Sequence, residues 1–552
     1  MINKKRIWQS LLVFFGFAFF VFMLNITSQS LHYDIIWCFH ISQKVANGFE
    51  LYSEIGTVVT PIYFWLGSLF IKIFGNSLIS MDIYSGFVSG MIAMLVFNII
   101  QETKHKENVY ANLLFTFYMI IALSLLCLTN YNTCAIMWVL FAAFLEVRKE
   151  RKIALEVPTF TKKKENLYNL LIGLVLGLAF FTKQNIGTYG VLATGIFSLV
   201  YKCFIKKENT IKEILLKASG FLIILTSFVL YFVLNGTFAD FINFCIGGLL
   251  EFGDKNLMVG MPYAYFGVIT IITICFALIG SKKENNIVWI AEIIYLMCMM
   301  LLIYPLTNQY HIQCAMLMIV PIYMILLDKV IEHKNMYNIC AALFAMFALL
   351  ASITTGGEFT ETELIYGFVP SVMDTVLKIF CVTFIMVLSL SFVVNEKALP
   401  WSVILVGAIC FTCVGIREVK NHVAQENVPE VLSIYKYHGY RQEAIDYMED
   451  IIEYILMLEA SGEKVYVVSA DASYYMAALG RNQYKYDLNL YGSLGYKGED
   501  VLIEETGALG DVIIMKDKTV TIQEPKKFDE FIKENYEAFD EVGNLIVYRT
   551  RD

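Results

Sequence analysis

The stretch that decides how this chain is read is Leu31–Gly75, LHYDIIWCFHISQKVANGFELYSEIGTVVTPIYFWLGSLFIKIFG. It follows the first long apolar segment, yet it is neither an uninterrupted membrane span nor a polar loop. Asp34 stands just beyond the expected end of the first helix, and short amphipathic pieces rich in Tyr, Trp and Phe come after it. Gly48, Gly56 and Pro61 divide the stretch into separate elements, because glycine and proline punctuate regular structure. Aromatic rings favour the level where headgroups meet acyl chains, and Asp34, Glu50 and Glu54 bring carboxylates to that level. The pattern is that of a reactive loop, residues 28–78, lying on a membrane surface.

Working outward, 57% hydrophobic residues over 552 positions exclude a soluble globular protein and indicate an α-helical polytopic membrane protein. Apolar stretches near 7–27, 79–100, 110–128, 132–147, 167–185, 187–205, 215–235, 263–281, 287–306, 312–328, 337–354, 375–395 and 399–416 predict about thirteen transmembrane helices. Pro61–Gly75 is short and carries Lys72, so it is placed in the interface and not across the bilayer. The basic groups Lys4, Lys5 and Arg6, Lys104 and Lys106, Arg148 to Lys164, Lys206, Lys207 and Lys212, Lys282 and Lys283, and Lys329 and Lys334 then all fall on one side. The positive-inside rule makes that side cytoplasmic. The amino terminus is expected inside, as a retained signal anchor, and the carboxy terminus outside.

The formal net charge of -8 combines basic loops with an acidic last quarter. The 12 cysteines sit mostly in apolar runs and read as small buried hydrophobes; Cys410 and Cys413 lack the further ligands that zinc needs. From about Ile416 the composition turns polar. Residues 1–416 are expected to form the membrane domain and residues 417–552 a small extracytoplasmic α/β domain, with an amphipathic helix over Glu430–Leu458 and strands at 464–470, 511–516 and 544–549. The latter contains neither a P-loop nor GxSxG, and acceptor recognition or partner contact is its expected task.

Ionisable groups at the mouths of membrane helices are costly to place there, which makes them informative. Asp34 has Glu50 and Glu54 in its own loop; taken alone, it is a solvated acid at a helix end. Thr182-Lys183-Gln184-Asn185 ends an apolar helix on the side where positive charge is rare. Lys183 there either snorkels or binds an anion, and its polar neighbours favour the anion. Thr307-Asn308-Gln309-Tyr310-His311 forms another outer turn, in which His311 is either structural or a donor to a phosphate or sugar oxygen. Asn130-Tyr131-Asn132 presents polar groups on the same side. A carboxylate, a cation and hydrogen-bond donors on one surface fit attack by an acceptor hydroxyl on a sugar whose leaving group is a lipid phosphate. Asp34 is then the general base, with Lys183, Gln184 and His311 on the phosphate and Glu50, Tyr52, Glu54, Asn130, Tyr131, Asn132 and Asn185 around the substrate.

At these residues the sequence resembles the polytopic glycosyltransferases of the GT-C fold, particularly bacterial members related to protein mannosyltransferases and aminoarabinose transferases. The features are Asp34 after the first helix, Asn47-Gly48-x3-Tyr52, Thr60-Pro61 opening a helix that closes at Phe74-Gly75, the Tyr131-Asn132 turn, Thr182-Lys183-Gln184, and His311 after Tyr304-Pro305. Each is loose; order and spacing make them specific. The resemblance implies a polyprenyl-phosphate sugar donor, transfer on the outer face, inversion at the anomeric carbon, and Asp34 as catalytic base. Many relatives carry an acid where this chain has Asn130-Tyr131-Asn132, and several have two prolines where Thr60-Pro61 stands. The first departure bears on a divalent cation (Mg2+ or Mn2+), for which Glu50 or Glu54 is the remaining carboxylate; no metal ligands are assigned.

Acceptors implied by the class are glycans, wall polymers or proteins; nucleic acid is not among the expected partners. Two other readings stay open. A transporter or flippase of lipid-linked glycans would need a polar path through helix centres, where Glu292 is one of few charges. A wall-polymer ligase or polymerase would place its chemistry in a large late loop, and Gly356–Asp374 offers Glu358, Glu361 and Glu363 without Arg or His.

Overall fold

The computed structural model describes residues 4–27, 33–103, 130–255, 287–303, 428–438, 442–469, 471–483, 485–486, 493–496, 498–518 and 525–551, with Met119, Cys314 and Leu317. Apart from those last three residues, the expected spans at 110–128, 263–281, 312–328, 337–354, 375–395 and 399–416 lie outside the described residues. Among those described, five helices are long and apolar enough to cross a membrane: Lys4–Met23, Leu78–Glu102, Lys162–Thr182, Gln184–Ile205 and Ile211–Leu234.

Helix α1 (Lys4–Thr27) lies antiparallel against α4 (Leu78–Thr103). Two glycines permit the contact: a Cβ on Gly86 would stand 2.6 Å from the Ala18 carbonyl oxygen, and one on Gly90 2.6 Å from that of Phe14. At the far end Arg6 meets Glu102 at 2.8 Å and donates to the Asn98 carbonyl. Between them run α2 (Tyr33–Ala46) and α3 (Ile62–Phe74), of 14 and 13 residues. At 1.5 Å per residue, each spans only about 20 Å, less than the hydrocarbon core of about 30 Å. They occupy the end of the bundle opposite Arg6.

Helix α5 (Tyr131–Ala154) descends from that end and α6 (Lys162–Thr182) returns to it. The chain breaks at Lys183, and α7 (Gln184–Gly195) continues as the π-helical segment Ile196–Ile205, followed by α8 (Ile211–Leu234). Gly173 and Gly220 let α6 and α8 touch backbone to backbone, since a Cβ on either would overlap the partner's main chain.

Near the Arg6 end, α5, the π-helical segment and α8 enclose an ion network. Lys149 contacts Glu146, Glu213 and Glu150 at 2.6, 3.0 and 3.2 Å. Lys202 contacts Glu213 and Glu150 at 2.8 and 2.9 Å, and Lys217 contacts Glu146 and Glu213 at 2.6 and 2.7 Å. Asn169 and Ser198 fill remaining hydrogen-bond positions. The three lysines and three glutamates cancel in charge and none of their side chains is more than 7% exposed. Lys149, which the sequence groups with a basic cytoplasmic loop, instead sits inside the continuous helix α5.

Beyond α8 come the short helix α9 (Phe238–Phe241), a π-helical turn Ile242–Gly247, and helices α10 (Gly248–Lys255) and α11 (Ile287–Met299). The expected helix over Glu430–Leu458 is split. A 3-10 turn occupies Glu430–Tyr435, Tyr437 takes a left-handed conformation (φ 77°), and α12 starts at Gln442 and ends at Ala460. The interruption turns His438 into the bundle, where its Nε2 meets Asp82 of α4 at 2.5 Å. Next come β1 (Val465–Val468), α13 (Ala472–Leu479), α14 (Gly498–Ala508), β2 (Ile513–Asp517), α15 (Lys526–Asn535), β3 (Tyr536–Val542) and β4 (Leu545–Thr550). The four-stranded sheet has the order β1-β2-β4-β3. Strands β1 and β2 pair in parallel, Val465 opposite Ile513, and the other pairs are antiparallel. Strand β3 is an exposed edge whose charged sequence YEAFDEV carries no clear apolar alternation, so the sequence does not announce it.

Removing one partner from a buried ion network leaves the others uncompensated at about 3–5 kcal/mol. Glu213→Gln is isosteric and deletes a charge shared by Lys149, Lys202 and Lys217. It is expected to lower the unfolding midpoint in detergent sharply, whereas Glu165→Gln, at an exposed pair with Lys162, should leave it within experimental scatter.

Candidate functional site

The site is built around the break between α6 and α7. Lys183 adopts an extended conformation, φ -157° and ψ 113°, while the hydrogen-bond ladder closes around it: its N–H donates to Ala179 at 2.9 Å and its carbonyl accepts from Gly187 at 3.0 Å. Gly187 is required here because a Cβ would overlap the backbone of Phe180. The break places the Lys183 side chain, only 9% exposed, at the first turn of α7, where unpaired N–H groups and the helix dipole favour an anion.

The Lys183 ammonium lies 4.7 Å from the centroid of the Tyr131 ring, a cation–π geometry. It makes no hydrogen bond or ion pair of its own with any other of the described residues. Burial pushes its pKa down to about 8, while Cys245, the Asp34 carboxylate and Cys38 act in the opposite direction. Asp34 is half-buried in the first turn of α2 and acts electrostatically on both Cys38 and Lys183. One helical turn along, Trp37 meets the Tyr131 ring edge-on at 5.9 Å and that of Phe64 at 6.0 Å, and Tyr63 meets Tyr131 at 6.2 Å. Helices α2, α3 and α5 and the α6–α7 break thus converge on one buried cation with an acid close by.

The loop before α3 is tied to the break. Thr60 Oγ1 donates to the Phe180 carbonyl at 3.1 Å. Gln184 Nε2 donates to the carbonyls of Val58 and Cys245, both at 2.9 Å. Tyr52, at φ 75° and fully buried, donates its hydroxyl to the Val59 carbonyl.

The structure brings together Asp34, Tyr131, Lys183 and Gln184. The amide nitrogen of Gln184 is already committed to two carbonyls, which leaves it no donor for a phosphate. Tyr52 is packed between Phe232 and Phe241 and braces the loop. Asn130 caps α5, its Oδ1 accepting from the Asn132 N–H at 2.8 Å, and the Oδ1 of buried Asn132 has no partner among the described residues. Asn185 accepts from Ile186 N–H. Glu50 and Glu54 are exposed and close their own turn, the Glu50 N–H donating to Glu54 at 2.7 Å. His311 lies outside the described residues. Trp37, Cys38 and Tyr63 escaped the sequence reading of the site, although Trp37 and Cys38 stand three and four positions after Asp34, the spacing of one helical face. Cys245 gave no signal at all.

The described carboxylates do not form a divalent-cation site near Lys183. Glu50 and Glu54 are turned to their own loop. Glu146, Glu150 and Glu213 do gather within 4.8 Å of one another, but three lysines neutralise them at the opposite end of the bundle.

The C-terminal domain reaches the same region. His40 Nε2 donates to the Arg481 carbonyl at 3.0 Å and Gln43 Nε2 to that of Ala477 at 3.1 Å. The Gly56 N–H donates to the Lys485 carbonyl at 2.7 Å, and the Tyr496 N–H to Asn243 Oδ1 at 2.8 Å.

Residues 58–232 match a protein-family model described as dolichyl-phosphate-mannose-protein mannosyltransferase. Two crystal structures of ArnT from Cupriavidus metallidurans, one bound to undecaprenyl phosphate and one in the apo state, are each 11% identical over 99% of this chain and 97% of theirs, with TM-scores of 0.56 and 0.58. An oligosaccharyltransferase from Archaeoglobus fulgidus, tethered with an acceptor peptide, is 12% identical over 99% of this chain and 74% of that one, at a TM-score of 0.40. No curated protein matches the sequence. The chain is thus similar to that family over residues 58–232 and shares its fold with the two ArnT structures.

A Cβ on Gly56 would stand 2.9 Å from the Phe244 ring and 3.0 Å from the Lys485 carbonyl. Gly56→Val is therefore expected to loosen the contact of this loop with Phe244 and the Lys485 segment, read as faster limited proteolysis of the variant than of the wild type, with the protein still monodisperse in detergent.

Proposed function

We propose that this protein transfers a sugar from a polyprenyl-phosphate donor to an acceptor hydroxyl, on a glycan, a wall polymer or a protein, at the outer face of a bacterial plasma membrane. The observation that carries the reading is the buried Lys183 ammonium, without an ion-pair partner among the described residues, at the first turn of α7 and within electrostatic reach of Asp34. A cation left unneutralised in a poorly hydrated place is costly unless an anion completes it, and a lipid phosphate supplies that anion. The ArnT structure that shares this fold holds undecaprenyl phosphate.

In this reading Asp34 accepts the proton of the acceptor hydroxyl as its oxygen attacks the anomeric carbon. The bond from that carbon to the phosphate oxygen breaks on the opposite face, the configuration inverts, and the electron pair leaves on the lipid phosphate. Lys183 and the N–H groups opening α7 hold the growing negative charge; a phosphate needs no separate acid. Residues 1–416 carry this chemistry, His311 is a further phosphate ligand, and residues 417–552 face outward over the reactive loop. No step is assigned to a divalent cation.

Removal of a general base costs about 10²–10⁴-fold in rate. Asp34→Asn is expected to abolish sugar transfer in detergent while undecaprenyl phosphate still binds; full transfer by that variant would remove Asp34 from the chemistry. Because Lys183 is held near pKa 8, it is charged below that pH and neutral above it. Affinity for undecaprenyl phosphate should therefore fall as pH rises through about 8 in the wild type, and Lys183→Arg should move that fall to higher pH, since guanidinium stays protonated. Binding measured from pH 6 to 10 checks both.

A further inference from the structure

Gln184 is 3% exposed, and both of its neighbours in hydrogen bonding are backbone carbonyls from remote parts of the chain. Two carbonyl oxygens at 2.9 Å from one amide atom fix which atom that is, because an oxygen placed there would face acceptors on both sides. The other end of the amide, Oε1, is consequently an acceptor, and it is buried with no partner among the described residues. A buried acceptor left without a donor is unfavourable, so the position is explained when a ligand supplies one. It lies directly after Lys183 in the first turn of α7. Neither an ionised phosphate oxygen nor a carboxylate can satisfy it, since both only accept; a hydroxyl or an amino group can.

We propose that Gln184 is a specificity-determining residue that reads the sugar of the donor: its Oε1 accepts from a hydroxyl or amino group on the transferred residue while Lys183 holds the adjoining phosphate. The proposal rests on the polyprenyl-phosphate reading above and adds to it the class of group recognised. The clip to Val58 and Cys245 is the device that makes the recognition one-sided: it spends both amide hydrogens on the fold and leaves the carbonyl alone to accept from a ligand. A donor whose sugar keeps that hydrogen-bond donor gains a contact that the bare lipid phosphate does not make.

The test uses the full chain in detergent and compares binding of undecaprenyl phosphate with binding of undecaprenyl-phosphoryl mannose, glucose and galactose. The wild type is expected to favour at least one glycosylated lipid over undecaprenyl phosphate by about tenfold, the scale of one buried hydrogen bond. In Gln184→Met that ratio should fall toward one, and a deoxy analogue lacking the recognised hydroxyl should show the same loss in the wild type but no additional loss in the variant. A ratio unchanged in Gln184→Met, or equal weakening of both kinds of lipid, would reduce Gln184 to a structural clip and overturn the proposal. So would a wild type without any preference, a result that stands even when the variant does not fold. A wild type that binds none of these lipids would instead remove the donor assignment, and the proposal with it.

Discussion

A lysine cannot simply be buried in an apolar setting; something must hold it there, and in this protein it is the interruption of one helix. At Lys183 the backbone swings to an extended conformation and resumes as α7 without giving up its hydrogen-bond ladder. That arrangement depends on Gly187, which lets the new helix lie against Phe180, and on Thr60 and Gln184, which stitch the loop before α3 to the interruption. The cation is thereby fixed beside an aromatic face and an acid in place of reaching for water. Flexibility is what makes a lysine a poor positioning group, and the surrounding contacts remove it.

The aromatic wall has a related task. Trp37, Tyr63, Phe64 and Tyr131 interlock edge to face, an arrangement in which each ring's positive rim meets another's negative face. The wall joins α2, which bears Asp34, to the start of α5, where the Lys183 ammonium rests over Tyr131. Carboxylate and ammonium are therefore carried on separate elements, α2 and the α6–α7 break, that meet at one aromatic partition. The C-terminal domain leans on the outside of the same partition through His40, Gln43 and Gly56.

How much of this was legible in the sequence follows from what each feature costs. Asp34 and Lys183 stood out because a charge at the end of an apolar run is rare, and Tyr131 because the short Asn130-Tyr131-Asn132 turn interrupts apolar sequence. Helix α2 showed only as a short amphipathic piece ending before Gly48, whereas α3 was foreseeable from Pro61 and Gly75. The individual tasks were not. Tyr52, Asn130, Glu50 and Glu54 had the right chemistry for a ligand, yet their polar groups are engaged by neighbours within their own segments. The commitment of Gln184 to Val58 and Cys245 involves residues 126 and 61 positions away, and no local pattern encodes that. Lys149 looked like a loop charge for the same reason: its partner Glu213 lies 64 residues further on. Strand β3 hid behind an acidic composition that protects a sheet edge from pairing with other chains.

That ion network also constrains how the chain enters the bilayer. Lys202 and Lys217 each sit toward one end of a segment long and apolar enough to cross a membrane, and an ionised side chain buried there is costly unless its partner is in place. The anions that relieve them, Glu146 and Glu150, lie on α5, synthesised earlier, and Glu213 precedes Lys217 by a single turn. Neither α5 nor the π-helical segment is neutral within the network by itself, so its charges balance only once these two have come together beside α8.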